Sequence, residues 1–142
     1  MAETTKDSLT GLEFTEDGIE STFKFIEAGD PNVLEVGDGL SYAANLYDSN
    51  NVFAGTKDIS WIFTEQLENG DYIANVEETV DLPCGEIYTL GSINATELGQ
   101  LKSQKIDIIG GSGIYDGVTG EEYITRLDSD VSDVSSISFK FS

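Results

Sequence analysis

Apolar and polar residues alternate along much of the chain with a period of two. The alternation is clear in residues 21–27 (STFKFIE) and 71–82 (DYIANVEETVDL). Because successive side chains of a strand point to opposite faces, such segments predict strands with one buried face. Eight segments predict strands, some alternating and some rich in β-branched and aromatic residues: 21–27, 39–47, 58–66, 71–82, 85–94, 105–110, 120–128 and 136–142.

The connections between these segments contain turn residues. Residues 48–51 (DSNN) and 68–71 (ENGD) are rich in Asn and Asp, and the second contains the Asn-Gly pair that is typical of a tight hairpin. Short strands at regular spacing favour an antiparallel sandwich or a closed barrel. Eight strands suit an all-β, eight-stranded antiparallel barrel whose interior holds side chains or one small ligand. We expect a flexible acidic arm over residues 1–20 and a single barrel domain over residues 21–142.

Composition narrows the functional classes. With 27 acidic and 7 basic residues among 142, the formal net charge of −20 disfavours nucleic acid and anionic membranes as partners. The absence of histidine excludes the Ser-His-Asp and Cys-His nucleophile schemes, and the single cysteine, Cys84, is expected to be a packed thiol. Neither a signal peptide nor a span of about 20 apolar residues is visible, so we expect a cytoplasmic protein.

Glycine is concentrated in residues 108–128 (IIGGSGIYDGVTGEEYITRLD). A glycine-rich loop can bind a phosphate group, or it can let a strand bend at the rim of a barrel. A dinucleotide site requires a helix after the loop, whereas here a β-branched segment follows, and the lysine of a phosphate-binding P-loop is absent. The pattern therefore favours a bend or bulge that helps a barrel to close.

Residues 110–127 (GGSGIYDGVTGEEYITRL) resemble the signature of the allene oxide cyclase-like barrels, in which a Gly-Gly-Ser-Gly turn and an aromatic residue precede Gly-Val-x-Gly and a strand. Residues 46–63 and 69–91 resemble further parts of that family, and the resemblance extends over residues 21–128. Dirigent proteins carry a looser version. The chain is most similar to the short bacterial branch that includes the spirotetronate cyclases, which close a polyketide chain by intramolecular [4+2] cycloaddition.

The resemblance implies an eight-stranded barrel with a central ligand cavity and chemistry without a cofactor or metal. It implies a small polyene or polyketide-like substrate and a homo-oligomer, a dimer in the bacterial branch. Such a barrel works mainly by orienting a flexible chain, which can contribute up to about 7–11 kcal/mol to lowering a barrier.

The resemblance and the alternation together place particular side chains inside the barrel. Arg126 is the expected anchor for an anionic head group such as a tetronate, and Trp61 and Tyr42 are expected to stack on a polyene or to gate the opening. These three are the predicted catalytic residues. An internal salt bridge of Arg126 with Glu78 or Glu122, and core packing by the two aromatic residues, are the structural alternatives. The predicted substrate-binding residues are Tyr72, Phe63, Val76, Glu78, Ile93, Ile106, Glu122 and Ile124.

Three other functions stay open. An allene oxide cyclase-like or oxygen-ring-closing enzyme would need an acid or base, for which Glu27 and Glu78 are the candidates. A dirigent-like barrel would bind a ligand without turnover. A purely structural barrel would have a filled core and no cavity.

Overall fold

Nine antiparallel strands make up most of the computed structural model, which describes residues 11–30, 34–127 and 134–142. The helix α1 (Ala95–Gly99) has five residues, so no helix in the described part of the chain is long and apolar enough to cross a membrane. The strands are β1 (Gly11–Gly18), β2 (Lys24–Ile26), β3 (Gly39–Tyr47), β4 (Phe53–Gln66), β5 (Tyr72–Leu82), β6 (Gly85–Asn94), β7 (Gln104–Gly111), β8 (Gly120–Arg126) and β9 (Val134–Phe141).

Strand β3 closes the sheet into a barrel. The order β1-β9-β8-β7-β6-β5-β4-β3 runs through hydrogen-bonded antiparallel neighbours, and β1 also pairs with β3, so that Glu16 lies opposite Leu46 and Gly18 opposite Ala44. Strand β2 pairs with the first residues of β3, from Gly39 to Ser41, and lies outside the ring of eight. The predicted eight-stranded antiparallel barrel is confirmed.

The first strand of the ring differs from the predicted one. Residues 11–18, predicted as part of a flexible arm, form β1 and pair with both β3 and β9. Residues 21–27 form the end of a short 3-10 helix and the three-residue β2 instead of a barrel strand. The physical reason is that Leu12 and Phe14 share an inward face with the charged Glu16, which hides the apolar alternation of β1. Residues 1–10 lie outside the described residues.

The predicted inward parity of β3 to β8 is confirmed. Alternate residues of β3 to β8 are buried inside the ring, where they form one continuous core together with residues of β9. Gly91 lets β6 and β7 approach closely, because a Cβ atom there would lie 2.8 Å from the Ile106 side chain. The buried residues on the predicted inward positions are Ala44, Leu46, Ile59, Ala74, Val76, Glu78, Thr89, Ile93, Ile106, Ile108, Glu122 and Ile124.

The glycine-rich segment bends a strand, as predicted. The β6–β7 register shifts between Tyr88 and Thr89, opposite Gly110, at the end of β7. Gly113 has a φ of 59°, and a Cβ there would collide with the Cys84 carbonyl oxygen. Cys84 itself is exposed, so the expectation of a packed thiol is wrong: its backbone belongs to the turn between β5 and β6 and not to a buried face. This segment joins β7 to β8, whereas α1 joins β6 to β7, so the two lie at opposite ends of the antiparallel barrel. The end that carries α1 contains the cavity described next.

Candidate active site in the barrel cavity

A cavity of about 190 Å³ opens at the end of the barrel that carries α1. Its existence contradicts the filled structural barrel. A wider groove of about 720 Å³ crosses β3, β4 and β5, but most of its lining residues point outward, as Asp58, Ser60 and Glu77 do. The cavity inside the barrel is therefore the candidate site. Its lining residues are Glu16, Phe23, Leu40, Tyr42, Trp61, Glu78, Leu98, Ile124, Arg126 and Ser135.

Aromatic and aliphatic side chains form the wall near the opening. Leu40 and Trp61 lie opposite each other on β3 and β4. The Tyr42 ring stacks on Phe23 with 4.4 Å between centroids and 6° between planes. Phe23 belongs to the connection between β1 and β2, so this non-strand segment covers part of the opening. Leu98 of α1 completes the wall.

Asn94 positions α1 beside the cavity. Its side-chain oxygen accepts a hydrogen bond of 2.9 Å from the Glu97 amide, which satisfies a free N–H at the start of the helix. The Asn94 side-chain nitrogen donates to Asp71 at 3.0 Å and so ties the helix start to the β4–β5 hairpin. A five-residue helix has little stability of its own, so these contacts fix Leu98 over the cavity.

Four charged side chains meet at the inner end of the cavity. The Lys57 ammonium lies 2.7 Å from Glu16 Oε1, 2.8 Å from Glu78 Oε2 and 2.7 Å from Glu122 Oε2. The four side chains are 0–5% exposed. They come from β4, β1, β5 and β8, and we call them the Lys57 cluster. Glu16 and Glu78 also line the cavity, so the cluster forms its floor.

The cluster keeps Lys57 charged. Burial by itself favours the neutral amine and is the largest single influence on the lysine. The three carboxylates, led by Glu122, together outweigh it and raise the pKa of Lys57 well above its usual value. A permanently charged ammonium is a poor nucleophile, so Lys57 acts as a fixed positive charge and hydrogen-bond donor.

The carboxyl groups that face the cavity hold protons more tightly than ordinary glutamates. Burial, and then the negative charge of Glu122, raise the pKa of Glu78 well above its usual value, although Lys57 opposes them. Burial likewise raises the pKa of Glu16, against the opposing charge of Lys57. A carboxyl group with a raised pKa can serve as a hydrogen-bond donor or general acid at neutral pH. The cavity therefore joins apolar walls to an acidic floor.

The structure brings five of the predicted site residues together around this cavity: Tyr42, Trp61, Glu78, Ile124 and Arg126. Glu122 is buried behind the floor on Lys57. Phe63 and Tyr72 contact each other with 5.6 Å between ring centroids, and the Tyr72 hydroxyl donates to the Leu34 carbonyl at 2.8 Å. The predicted residues that lie in the core instead of the cavity lining are Val76, Ile93 and Ile106. Substrate contacts at these positions stay predictions.

Lys57 and Glu16 are absent from the predicted site. Lys57 has the same strand parity as Ile59 and Trp61, so extending that strand by one residue places it inward. Glu16 shares its parity with Leu12 and Phe14 in a strand that the sequence does not reveal clearly. Glu27, the candidate acid on the first predicted strand, is exposed beyond β2 and does not line the cavity.

The inner glutamates are not arranged as metal ligands. Within residues 11–30, 34–127 and 134–142, no group of three or more His, Cys, Asp or Glu side chains is placed to hold a metal ion. The centre of the three carboxyl groups is occupied by the Lys57 ammonium.

Comparison with solved structures shows the same fold in several proteins. Pyocyanin demethylase superposes with a TM-score of 0.77 at 20% identity, over 93% of this chain and 99% of its own. The Diels Alderase AbmU from Streptomyces koyangensis superposes with 0.76 at 18% identity, over 93% of this chain and 64% of its own. The pterocarpan synthase dirigent protein PsPTS1 superposes with 0.69 at 15% identity, over 93% and 92%. At these identities the likeness is one of fold.

Sequence comparison gives the family. No curated protein sequence matches the chain significantly. The profile described as "Allene oxide cyclase barrel like domain" matches residues 20–139, which include every strand except β1 and the end of β9. The chain therefore belongs to the allene oxide cyclase barrel-like domain family.

Proposed function

We propose that the protein is a cofactor-free cyclase that folds a linear polyketide-like chain inside the barrel for an intramolecular [4+2] cycloaddition. In that step a diene and an alkene form two carbon–carbon σ bonds at the expense of two π bonds, and no atom is gained or lost. The observation that carries the proposal is a single cavity that combines an aromatic wall, Arg126 and a polar floor.

Each part of the cavity has a physical task in this reaction. Trp61 and Tyr42 offer flat apolar surfaces on which an extended polyene can lie. Arg126 can bind an anionic head group such as a tetronate and fix one end of the chain. A hydrogen bond from the floor to a carbonyl next to the alkene would draw electron density from it and stabilise the transition state. Orientation of the chain supplies the rest of the reduction in the activation barrier, since both reacting groups belong to one molecule.

The size of the cavity limits how such a chain binds. Sites for drug-sized ligands usually measure about 300–1,000 Å³, whereas this cavity measures about 190 Å³. A polyketide chain would therefore have to displace part of the cover or extend beyond the opening. Phe23 can move without disturbing the ring of strands, because it lies between the 3-10 helix and β2.

The relatives support the fold of such an enzyme and leave the reaction open. AbmU is a Diels Alderase by its description, and PsPTS1 is a dirigent protein and pterocarpan synthase. Pyocyanin demethylase shares the barrel as closely. One fold thus accommodates different reactions, and the residues of the cavity decide among them. The homodimer that the family resemblance implies stays a prediction.

A turnover assay tests the proposal. The protein is incubated with a synthetic linear tetronate that carries a diene and an alkene, and products are separated by chromatography with mass detection beside a boiled control. We expect an isomer of unchanged mass, formed faster than in the control and as one stereoisomer. Arg126→Ala should lower the rate strongly, whereas Lys102→Ala, which removes an exposed cation outside the cavity, should not.

A second candidate is proton-assisted closure of an oxygen ring, which the raised pKa of Glu78 favours. Protonation of an epoxide oxygen by the floor would let an internal hydroxyl attack the carbon, and the hydroxyl proton would return to the floor. This reaction predicts that Glu78→Gln abolishes turnover of an epoxy-alcohol while leaving cycloaddition measurable. If neither substrate reacts but the tetronate changes the fluorescence of Trp61, the sole tryptophan, the barrel is a non-catalytic ligand-binding protein of the dirigent type.

A further inference from the structure

The Lys57 cluster contains three acidic groups and one basic group. All three carboxyl groups touch the same nitrogen, so their nearest oxygens are no further apart than twice 2.8 Å. The side chains are at most 5% exposed, and water screens such charges poorly. One ammonium balances one carboxylate, which leaves two like charges side by side if all three glutamates are ionised. Like charges at this separation favour retention of a proton by one of the pair.

Hydrogen bonding in the cluster also indicates that one carboxyl group retains a proton. Glu78 Oε1 accepts from the Thr89 hydroxyl at 3.0 Å and Glu78 Oε2 faces Lys57, so both of its oxygens have partners. Glu122 Oε1 is fully buried and has no hydrogen-bond partner among the described residues. Buried acceptors of this kind are rarely left without a donor. A proton shared within the cluster supplies a donor for this oxygen while no ligand occupies the cavity.

We propose that Lys57 holds Glu16, Glu78 and Glu122 together as a proton-bearing floor, which binds an uncharged oxygen of the ligand, such as a carbonyl, by donating a hydrogen bond. Glu16 and Glu78 reach the cavity, whereas Lys57 does not line it. Lys57 is thus a positioning residue that acts through the glutamates. A carboxylate on the ligand would meet acidic groups at this floor, so a neutral oxygen is bound in preference.

This inference deepens the proposed function by naming the ligand group at the inner end of the cavity. It rests on the proposed function only for the claim that the ligand is a substrate. The protonation of the floor depends on every charged or polar group that faces it. Among the residues that the structure describes, these groups are Glu16 from β1, Tyr42 from β3, Lys57 from β4, Glu78 from β5, Thr89 from β6, Glu122 and Arg126 from β8 and Ser135 from β9.

The first test observes the proton directly and needs no substrate. The protein is labelled with ¹³C at the glutamate carboxyl carbon, and its NMR spectrum is followed from acidic to alkaline pH. We expect one carboxyl signal that stays in the protonated range at neutral pH and disappears in Glu78→Gln or Glu122→Gln. In Lys57→Met the signals of Glu16 and Glu78 should titrate at still higher pH, because the cation that opposes the rise of their pKa is gone. Glutamate signals that are all ionised at neutral pH overturn the proposal.

The second test measures the binding preference. Because Arg126 lines the same cavity and would itself hold an anion, acetophenone, a neutral ketone, and benzoate, its anionic counterpart, are titrated against Trp61 fluorescence in Arg126→Gln protein. We expect acetophenone to bind at least about tenfold more tightly, the equivalent of one hydrogen bond, with its infrared carbonyl band shifted to lower frequency. The preference should weaken at alkaline pH in Arg126→Gln and lose its pH dependence when Glu78→Gln is added, a substitution of similar shape that keeps the test open if Lys57→Met does not fold.

The outcomes separate this inference from the proposed function. If the floor is protonated and binds acetophenone but no cyclisation substrate is turned over, the inference is supported and the proposed cyclase function is contradicted. If the protein catalyses cycloaddition but does not bind acetophenone, or binds benzoate equally tightly, the proposed cyclase function is supported and the oxygen-binding role of the floor is contradicted.

Discussion

The Lys57 ammonium lies 2.7 Å from Oε2 of Glu122, and neither side chain is accessible to solvent. The two residues are 65 positions apart in the chain and come from β4 and β8, which are not adjacent in the barrel. Their contact crosses the interior. Buried ion pairs cost desolvation energy, and removing one partner leaves the other charge uncompensated.

Lys57→Met should therefore destabilise the fold by about 3–5 kcal/mol, since it leaves three buried carboxyl groups without their cation. Urea unfolding followed by circular dichroism measures the change. Lys105→Met is the matched control: Lys105 lies 2.7 Å from Glu121 but is half exposed, and exposed pairs contribute little. Equal destabilisation by both substitutions would contradict the role assigned to the buried cluster.

Glu78 should make the protein less stable as the pH rises. A carboxyl group whose pKa is higher in the folded than in the unfolded state favours folding while it is protonated. Its contribution is complete below the unfolded pKa and is lost as the pH rises through the folded pKa, which burial and Glu122 raise well above the usual value. Glu78→Gln should therefore flatten the decline in unfolding free energy between mildly acidic and alkaline pH.

The control for this pH dependence is Glu121→Gln, which removes the same formal charge from the surface. The hydrogen bond with Lys105 lowers the pKa of Glu121, so its small contribution has the opposite sign, being lost as the pH falls. Denaturant unfolding at a series of pH values compares the two variants. The interpretation fails if Glu78→Gln and Glu121→Gln give parallel curves.

Phe23 should limit the size of the ligand. Phe23→Ala removes the ring that stacks on Tyr42 and should enlarge the opening, so that bulky aromatic ketones bind more tightly while small ones bind unchanged. Phe25→Ala is the control, because Phe25 is 73% exposed on β2 and does not line the cavity. Quenching of Trp61 fluorescence measures binding to both variants. If affinity depends on ligand size in the same way in Phe23→Ala and Phe25→Ala, then Phe23 does not cover the cavity.

Gly113 should matter for stability and not for the cavity. Gly113→Ala combines a φ of 59° with a collision between the new Cβ and the Cys84 carbonyl oxygen, and we expect a loss of about 1–3 kcal/mol. Gly70→Ala isolates the backbone term, because Gly70 also has a positive φ but nothing lies within 4 Å of its Cβ position. Thermal unfolding should rank Gly113→Ala as the more destabilised variant.

Ligand affinity provides the complementary readout for Gly113. The glycine-rich segment lies at the barrel end opposite the cavity, so folded Gly113→Ala protein should bind acetophenone as the wild type does. Titration of the wild type with inorganic phosphate should leave the fluorescence of Trp61 unchanged. A marked loss of ketone affinity would show that this segment contributes to the site.

Much of the barrel was predictable because strand patterns are local. Ile59, Trp61 and Phe63 alternate with outward residues, and this period together with the family resemblance assigns their face. The bend at Gly110 was likewise predictable, since glycine at a strand end before a second strand has few other uses. The first strand was not, because Glu16 on its inward face breaks the apolar pattern from which burial is inferred.

The sequence by itself determined strands β3 to β9, the inward faces of β3 to β8 and the presence of Arg126, Trp61 and Tyr42 on those faces. Only the tertiary structure decided that Lys57 would meet Glu16, Glu78 and Glu122. The physical reason is that alternation reports which face a side chain occupies, whereas contact across the interior depends on ring closure between β1 and β3 and on the register of every pair between them. From the sequence alone, a lysine on an inward face contradicts the apolar pattern. Its burial is explained only by the three carboxyl groups that surround it from other strands.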